Sequence, residues 1–333
     1  MISLAETVLR GDRLALARLL TQVENDTAEG RAALDALFPH TGKAHLIGVT
    51  GAPGTGKSSL VNQLALHFRK EGKRVAIAAV DPSSPFTGGA VLGDRVRMKD
   101  LSGDHGVFIR SMASRGSIGG LAQATASIVQ VFDAAGYEII MIETVGAGQS
   151  EVDIAKLAHT TLVVEAPGLG DDIQAIKAGI LEIADIIVVN KADRPGVENT
   201  EKALKSMLDL AHPTQRVFAH HGQYMNAVLP VETEINIWIP PLQRTIATDG
   251  EGINELARYI VKHGEYLHLS GDWAVRERAR LESELDAALR SALMNQFREH
   301  VSEDQFDKVM DQVFERSLSP SEAVKRLMNG RLK

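Results

Sequence analysis

The chain contains 333 residues, 44% of them hydrophobic and 24% charged, which predicts a folded main domain with an extension or second module. Its formal net charge of −7 offers no basic surface to nucleic acid or an anionic membrane, so we expect neither as a partner. Cysteine is absent, which excludes disulfides, thiolate metal sites and thiol nucleophiles and fits a reducing compartment. No apolar run approaches the roughly 18–20 residues that span a bilayer, and the N-terminus shows no continuous signal-peptide core. We therefore expect a cytoplasmic protein.

Residues 1–42 are predicted to form a helical N-terminal extension. Apolar side chains recur there at near-helical spacing: Leu14, Leu16, Leu19, Leu20 and Val23. Asp12 precedes this pattern and is a candidate N-cap, because a short carboxylate can accept the first free N–H groups of a helix. Pro39 and Gly42 then interrupt the pattern and mark the end of the extension.

Residues 43–268 are predicted to form the main domain, in which short apolar runs alternate with helical stretches. The runs cover residues 45–50, 74–80, 137–143, 160–166 and 185–190. Several show no strict alternation, as expected for strands that are buried on both faces. The fold class indicated is α/β, a mostly parallel, doubly wound sheet with helices on both faces and ligands at the carboxyl ends of its strands.

The first run leads into a phosphate-binding motif, G-x-x-x-x-G-K-[ST], at residues 51–58. Its glycines allow successive N–H groups to converge on phosphate oxygens, and the following helix adds the positive end of its dipole. Lys57 would place a charge on the terminal phosphates, and the Ser58 hydroxyl would ligate Mg²⁺. The candidate phosphate-binding residues are Gly51, Pro53, Gly54, Thr55, Gly56, Lys57, Ser58 and Ser59.

Several carboxylates lie where a P-loop NTPase keeps its magnesium and switch residues. Asp81 comes directly after the second run, Asp94 lies further along, and Glu143 ends the third run just before a glycine-containing turn. Mg²⁺ needs only one or two protein carboxylates, so one of the three can orient water instead, or can be a helix cap or surface ion pair. Arg97 lies near Asp94, and the Gly146 N–H is suited to sensing a γ-phosphate.

The turn after Glu143 lacks a residue that many switch GTPases carry. Ala147 follows Gly146 where a water-positioning glutamine would stand, and Gln149 lies two residues further on. We therefore expect GTP hydrolysis to be slow in the isolated protein and to be accelerated by a partner or a rearranged loop.

The last run leads into Asn-Lys-Ala-Asp at residues 190–193. This segment matches the N-K-x-D signature of guanine-binding proteins. The Asp193 carboxylate can accept both the guanine N1–H and the exocyclic amine, whereas adenine would leave it unpaired. Asn190 would fix the loop, and the Lys191 stem would lie over the base. The Ala247 N–H, in Thr-Ile-Ala at residues 245–247, is expected to meet guanine O6, with Ile246 replacing the usual serine.

Residues 269–333 are predicted to form a C-terminal helical arm. Two apolar stripes have helical spacing: Leu281, Leu285, Leu289, Leu293 and Phe297, then Phe306, Val309, Met310, Val313 and Phe314. Residues 271–333 contain eleven Lys/Arg and twelve Asp/Glu, so the arm is not basic. The stripes leave two alternatives open, packing on the main domain or formation of a dimer surface.

Taken together, these segments resemble the MeaB/ArgK family of P-loop GTPases, also known from methylmalonic aciduria type A proteins. The resemblance is carried in order by GAPGTGKSSL, VDPSSPFTGGAVLGDRVRM, SRGSIGGL, ETVGAGQSEVD, PGLGDDIQAIKAGILEIADI and NKAD. It extends over the whole chain, including both helical extensions. Residues 218–238 are longer and less regular than expected for the family, and Ile246 is a second departure.

The resemblance implies a GTPase chaperone that gates adenosylcobalamin loading and protects or reactivates a cobalamin-dependent acyl-CoA mutase, typically methylmalonyl-CoA mutase. GTP or GDP and Mg²⁺ would be its ligands, cobalamin would be handled by the partner, and the arm would join a homodimer. By the same resemblance, Asp81, Asp94 and Glu143 are metal and switch carboxylates. Residues 170–177, with Gln174, form a partner-responsive switch loop in which Lys177 stabilises transition-state charge.

Three other functions remain as alternatives. An ATP- or GTP-dependent kinase linked to amino-acid transport would need an acceptor pocket and would usually take ATP, which N-K-A-D argues against. A metallochaperone GTPase would commonly carry cysteine- or histidine-rich motifs, whereas this chain has no cysteine and eleven scattered histidines. His220 and His221 are expected to be surface residues. In the last alternative, the nucleotide only stabilises the fold.

Overall fold

The structure is a computed structural model that describes residues 3–82, 98–101, 103–114, 118–144, 156–168, 182–211, 218–220, 223–225 and 237–329. The chain divides into two compact units, Met1–Arg280 and Leu281–Lys333. The first unit contains the sheet, and the second is helical.

Within the described residues, the first unit is built on a seven-stranded parallel sheet in the order β3-β2-β4-β1-β5-β6-β9. Its strands are β1 (His45–Thr50), β2 (Val75–Pro82), β3 (Val107–Ser114), β4 (Ile139–Glu143), β5 (Thr160–Glu165), β6 (Ile186–Asn190) and β9 (Leu242–Thr245). The predicted α/β fold class is confirmed. The sequence patterns missed β3 and β9, the two edges of the sheet, because edge strands bury less apolar surface and β9 (Leu-Gln-Arg-Thr) is short and polar.

The helices of the first unit are α1 (Leu4–Leu9), α2 (Arg13–Glu24), α3 (Ala28–Leu37), α4 (Lys57–Lys70), α5 (Ile118–Ala134), α6 (Val197–Ala211), α7 (Ile253–Ser270) and the beginning of α8 (Asp272–His300). Short 3₁₀ turns cover Phe38–His40 and Lys99–Leu101. The predicted N-cap is confirmed, since the Asp12 carboxylate accepts the Ala15 N–H at 2.7 Å.

Successive strand residues point to opposite sides of the sheet. Because both sets are apolar, helices cover both faces. On one face, Ile140 and Ile142 of β4 pack in a core with α5 and the N-terminal helices, where Leu19 and Leu20 are fully buried. On the other face, Ile139 and Met141 of β4 belong to a core built with α4 and α7. The N-terminal helices are therefore a layer of the main core.

The Asp133 side chain, near the end of α5, fastens the chain entering β1. Its carboxylate accepts the N–H groups of Gly42, Lys43 and Ala44, at distances from 2.6 to 3.4 Å. A hydrogen bond to a charged group contributes about 1.5–3 kcal/mol to the free energy of unfolding. These bonds fix the start of the strand whose other end carries the phosphate-binding motif.

The segment 218–238 contains a short antiparallel pair, β7 (Phe218–His220) and β8 (Gln223–Met225). His221 lies outside the described residues, and nothing is described of the His220 side chain. Trp238 closes the segment by donating its indole N–H to the Asp185 carbonyl at 2.8 Å.

The second unit contains the remainder of α8, then α9 (Glu303–Phe314) and α10 (Pro320–Asn329). Its small core is formed by Val301, Val309, Ala323 and Leu327. Along α8 the predicted stripe is largely solvent-exposed, with Leu285 70%, Leu289 54% and Leu293 55% exposed. In the part of the chain that the structure describes, no helix is long and apolar enough to cross a membrane.

Candidate functional site: a nucleotide pocket at the carboxyl edge of the sheet

The turn between β1 and α4 has a backbone that only glycine can supply at two places. Gly51 has φ +137°, and a Cβ there would lie 2.1 Å from the Val164 carbonyl oxygen of the neighbouring strand. Gly56 has φ +93°, and a Cβ would lie 2.4 Å from Asn190 Nδ2. Both positive φ values and both close approaches exclude a side chain. The turn is thereby packed against β5 and against the guanine motif.

The turn ends at Lys57, the first residue of α4, whose side chain is buried. Its ammonium donates to the carbonyls of Gly51 at 2.7 Å and Ala52 at 3.0 Å, so a positive charge is held inside the curl of the loop. Gly56 is the N-cap of α4, and within the described residues no side chain caps its first turn. The N–H groups of a helix N-terminus carry the positive end of the helix dipole, and beside a lysine they suit an anion.

Ser58 and Glu143 meet although 85 residues separate them. The Ser58 hydroxyl donates to Glu143 Oε1 at 2.6 Å, and both residues are buried. The contact follows from the strand order, because β4 lies beside β1 and Glu143 is in register with Val49. A hydroxyl and a carboxylate are hard oxygen ligands, so this pair fits the chemistry of a magnesium site.

Asn190 joins the phosphate turn to the last loop of the pocket. Its amide group donates to the Thr55 carbonyl at 2.8 Å, and its side-chain oxygen accepts the Thr245 hydroxyl and the Ala247 N–H, each at 3.1 Å. Asn190 is buried, so breaking one of these bonds would leave a polar atom without water. Lys191 adds a second link, donating its ammonium to the Gly54 carbonyl at 2.6 Å.

These loops enclose a pocket of about 120 Å³ at the carboxyl edge of the sheet. Its lining residues are Gly56, Ser59, Asn190, Lys191, Asp193, Arg194, Ile246, Ala247 and Thr248. Asp193 is exposed at this pocket, and Ile246 contributes an apolar wall. The Ala247 N–H, expected to meet guanine O6, donates to Asn190 in this structure.

The structure thus brings the phosphate and guanine motifs together, with Ser58 beside Glu143. Sequence reasoning did not identify Arg194, Thr248 or the hydroxyl of Thr245 as part of this site. Their adjacency to the two guanine motifs was the available signal. Asp81 lies in β2 near its carboxyl end, but nothing is described of its side chain. The other predicted switch residues lie outside the described residues: Asp94, Arg97, Gly146, Gln174 and Lys177.

A parallel sheet, a phosphate turn before a helix and an N-K-x-D pocket define a P-loop GTPase, and this fold implies binding of a guanine nucleotide. The profile of the MeaB family, described as methylmalonyl Co-A mutase-associated GTPase MeaB, matches residues 16–302. The chain belongs to the MeaB family.

Named relatives agree with this family. A protein of Pyrococcus abyssi named as a GTPase is 43% identical over 98% of this chain and 95% of its own length. The mitochondrial methylmalonic aciduria type A homolog of Mus musculus is 30% identical over 96% of this chain and 77% of its own. A crystal structure described as LAO/AO transport system kinase covers 99% of this chain and 97% of its own, with a TM-score of 0.69 and 26% identity.

The contact between Gly56 and Asn190 leads to a prediction about nucleotide binding. Gly56→Ala should weaken GDP binding at least 10-fold, because the methyl group must displace the Asn190 amide and the residue must keep a positive φ. Fluorescent GDP titration measures this effect. Gly72→Ala is the matched control, since Gly72 has φ +81° with no atom within 4 Å of its Cβ position. It should lower stability and leave affinity unchanged; equal affinities for both variants would contradict the prediction.

Proposed function

We propose that this MeaB-family protein is a GTP-hydrolysing chaperone that gates adenosylcobalamin loading and protects or reactivates a cobalamin-dependent acyl-CoA mutase. The observation that carries the proposal is an assembled guanine pocket in a chain whose family is described as methylmalonyl-CoA mutase-associated. The mouse relative's name, methylmalonic aciduria type A homolog, is consistent with the same partner. Cobalamin itself would stay with the mutase.

At the phosphates, Ser58 and Glu143 would hold Mg²⁺, with Asp81 or Asp94 contributing directly or through water. When bound, Mg²⁺ supplies positive charge that offsets the charge developing on the terminal phosphates. Lys57 would add a second positive charge, and the N–H groups of the turn and of α4 would bind phosphate oxygens. In the nucleotide-bound protein, the Ser58 hydroxyl would give up its bond to Glu143.

Hydrolysis would need groups beyond this core. Arg97 and the Gly146 N–H would respond to the γ-phosphate, and Gln174 with Lys177 would complete the site when the mutase is bound. A lysine supplied on a partner-responsive loop stabilises transition-state charge in the manner of an arginine finger. Slow turnover in the isolated protein follows from the need to assemble these groups.

The pocket's choice of guanine would rest on Asp193, and it yields a prediction. Asp193→Asn should weaken GDP by on the order of 100-fold, because the new amide opposes the guanine amine donor. Xanthosine diphosphate should bind this variant better than GDP, since xanthine presents a carbonyl at the same place. Competition titrations measure both nucleotides. Asp209→Asn, on the exposed face of α6, should change neither affinity. Undiminished GDP affinity in Asp193→Asn would overturn the guanine assignment.

The chaperone role predicts a partner-dependent rate. The isolated protein should hydrolyse GTP at about 10⁻⁴–10⁻² s⁻¹, and a cognate cobalamin-dependent mutase should raise this rate at least tenfold. Phosphate release under single-turnover conditions measures both states. Glu143→Gln, which keeps the side-chain shape, should bind GDP but lose hydrolysis with and without the mutase. An unchanged wild-type rate with every candidate mutase would count against the chaperone role.

We also propose that the second unit, Leu281–Lys333, joins two copies of the chain. The support is the row of exposed leucines on α8, together with exposed Phe306 and Phe314 in α9, which are 46% and 85% exposed. Large apolar side chains grouped on one helix face at this exposure are typical of protein–protein contacts.

The dimer proposal predicts that Leu289→Glu gives a monomer at micromolar concentration, because a carboxylate buried in an apolar contact loses its hydration. Sedimentation velocity measures the mass. Ser291→Glu adds the same charge about 200° around the helix and should leave a dimer. If both variants keep the wild-type mass, the leucine row does not join the copies.

A second candidate function, a kinase linked to amino-acid transport, is favoured by one observation, the description of the similar crystal structure as a transport system kinase. It differs in the fate of the γ-phosphate. Labelled phosphate recovered on a protein or small-molecule acceptor, with ATP preferred over GTP, would favour the kinase. Inorganic phosphate formed from GTP would favour the chaperone.

A further inference from the structure

A histidine–tryptophan cluster lies at the amino ends of the parallel strands, opposite the carboxyl ends that carry the nucleotide pocket. His45 begins β1, His159 directly precedes β5 and Asp185 directly precedes β6. The foot of α8, which we define as residues 272–280, is held against these strand starts. Its indole, Trp273, stacks between His159, at 3.8 Å between ring centroids, and His268, at 4.1 Å.

Ion pairs and hydrogen bonds also hold the foot of α8 against the strand starts. Arg276 donates both terminal nitrogens to the two oxygens of Asp185, each at 2.8 Å, and also donates to the His159 carbonyl at 2.8 Å. Glu277 accepts from His159 Nε2 at 3.2 Å and from Arg280. The neutral His159 ring has its proton on Nε2, because its Nδ1 accepts the Leu46 N–H at 3.1 Å.

His45, Thr160 and His263 form a chain of hydrogen bonds that ends beside Asp185. His45 Nε2 lies 2.7 Å from the Thr160 hydroxyl, which lies 2.8 Å from His263 Nδ1, and His263 Nε2 lies 3.3 Å from Asp185 Oδ1. With neutral rings, one arrangement satisfies both hydrogen bonds: His45 donates to Thr160, and Thr160 donates to His263 Nδ1. These bonds need no added proton.

We infer that this cluster is a proton-sensitive latch, which fastens the foot of α8 to the strand starts when His45 and His159 are neutral and releases it when they are protonated. The ionisable groups facing it come from three places. From α7 they are His263, Tyr266 and His268. From the strand starts they are His159 and Asp185, and from α8 they are Asp272, Arg276, Glu277 and Arg280.

The environment of the rings gives the direction of the pH effect. Burial, helped by neighbouring His159, His263 and His268, lowers the pKa of His45 from 6.5 to about 3. Burial also lowers the pKa of His159, with Glu277 opposing the shift. Both rings contact Trp273 of the foot, so a state with the foot released would uncover them, return their pKa values toward 6.5 and bind more protons below that pH. The latch is therefore strongest above pH 6.5 and weakens as the pH falls.

The two carboxylates do not drive this change. Burial opposes ionisation of Glu277, but bonds from His159 and Arg280 outweigh it and lower its pKa to about 2. Burial likewise opposes ionisation of Asp185, and His263 and Arg276 outweigh it, so the pKa of Asp185 is also lowered. Both stay ionised between pH 7.5 and 5.5, so the response in this range comes from His45 and His159.

Hydrogen exchange followed by mass spectrometry tests the latch on the full chain with GDP bound. After correction for intrinsic rates, protection of the foot (272–280) should fall as the pH is lowered from 7.5 to 5.5. Protonation of His45 should account for about a tenfold decrease, and protonation of His159 for up to a further tenfold. Protection of α4 should not change. Equal protection of the foot at both pH values would overturn the latch, and so would a parallel loss in α4, which indicates global unfolding.

Matched variants separate titration from packing. In His45→Gln/His159→Asn the amides can keep the bonds to Thr160 and from Leu46 but cannot be protonated in this range, so the pH dependence of the foot should disappear. Each single variant should reduce the pH-dependent change in protection of the foot by a factor of about ten or less. His40→Gln, an exposed histidine outside the cluster, should keep the wild-type pH dependence. A double variant that binds GDP and retains the wild-type response would refute the latch, as would a pH-independent His40→Gln variant.

Discussion

The nucleotide pocket depends on one side chain, Asn190, which holds together loops that come from three parts of the chain. Its amide binds the phosphate turn, and its oxygen binds the last loop at two points. The contact is possible only because Gly56 leaves room for it. In a buried setting each such bond contributes roughly 0.5–1.5 kcal/mol, and the penalty for breaking one is larger. The phosphate turn and the loop after β9 are therefore held together through one buried side chain.

The parallel sheet makes this junction possible and also separates the two chemistries of the first unit. Parallel strands bring all their carboxyl ends to one edge, where the phosphate turn, Glu143 and Asn190 converge. The amino ends of the strands converge on the opposite side, where the histidine–tryptophan cluster holds the foot of α8. Strands of five or six residues span the distance between them.

Most of the architecture could be predicted because buried parallel strands leave a strong local signal. The runs at β1, β2, β4, β5 and β6 were all identified, and both faces of the sheet proved to be covered. The edge strands β3 and β9 were missed, since an edge strand carries polar residues that resemble a loop. The switch residues Asp94, Arg97, Gly146, Gln174 and Lys177 remain predictions, because they lie outside the described residues.

The sequence by itself determined the phosphate motif, the guanine motif and the family, because each depends on residue types at fixed local spacing. Only the tertiary structure decided that β4 lies beside β1, so that Ser58 meets Glu143 across 85 residues. The histidine cluster likewise has no sequence signature, since His45, His159 and His263 are more than 100 residues apart from one to the next. Strand order and helix docking arise from packing between distant segments, and local periodicity records only which residues are buried.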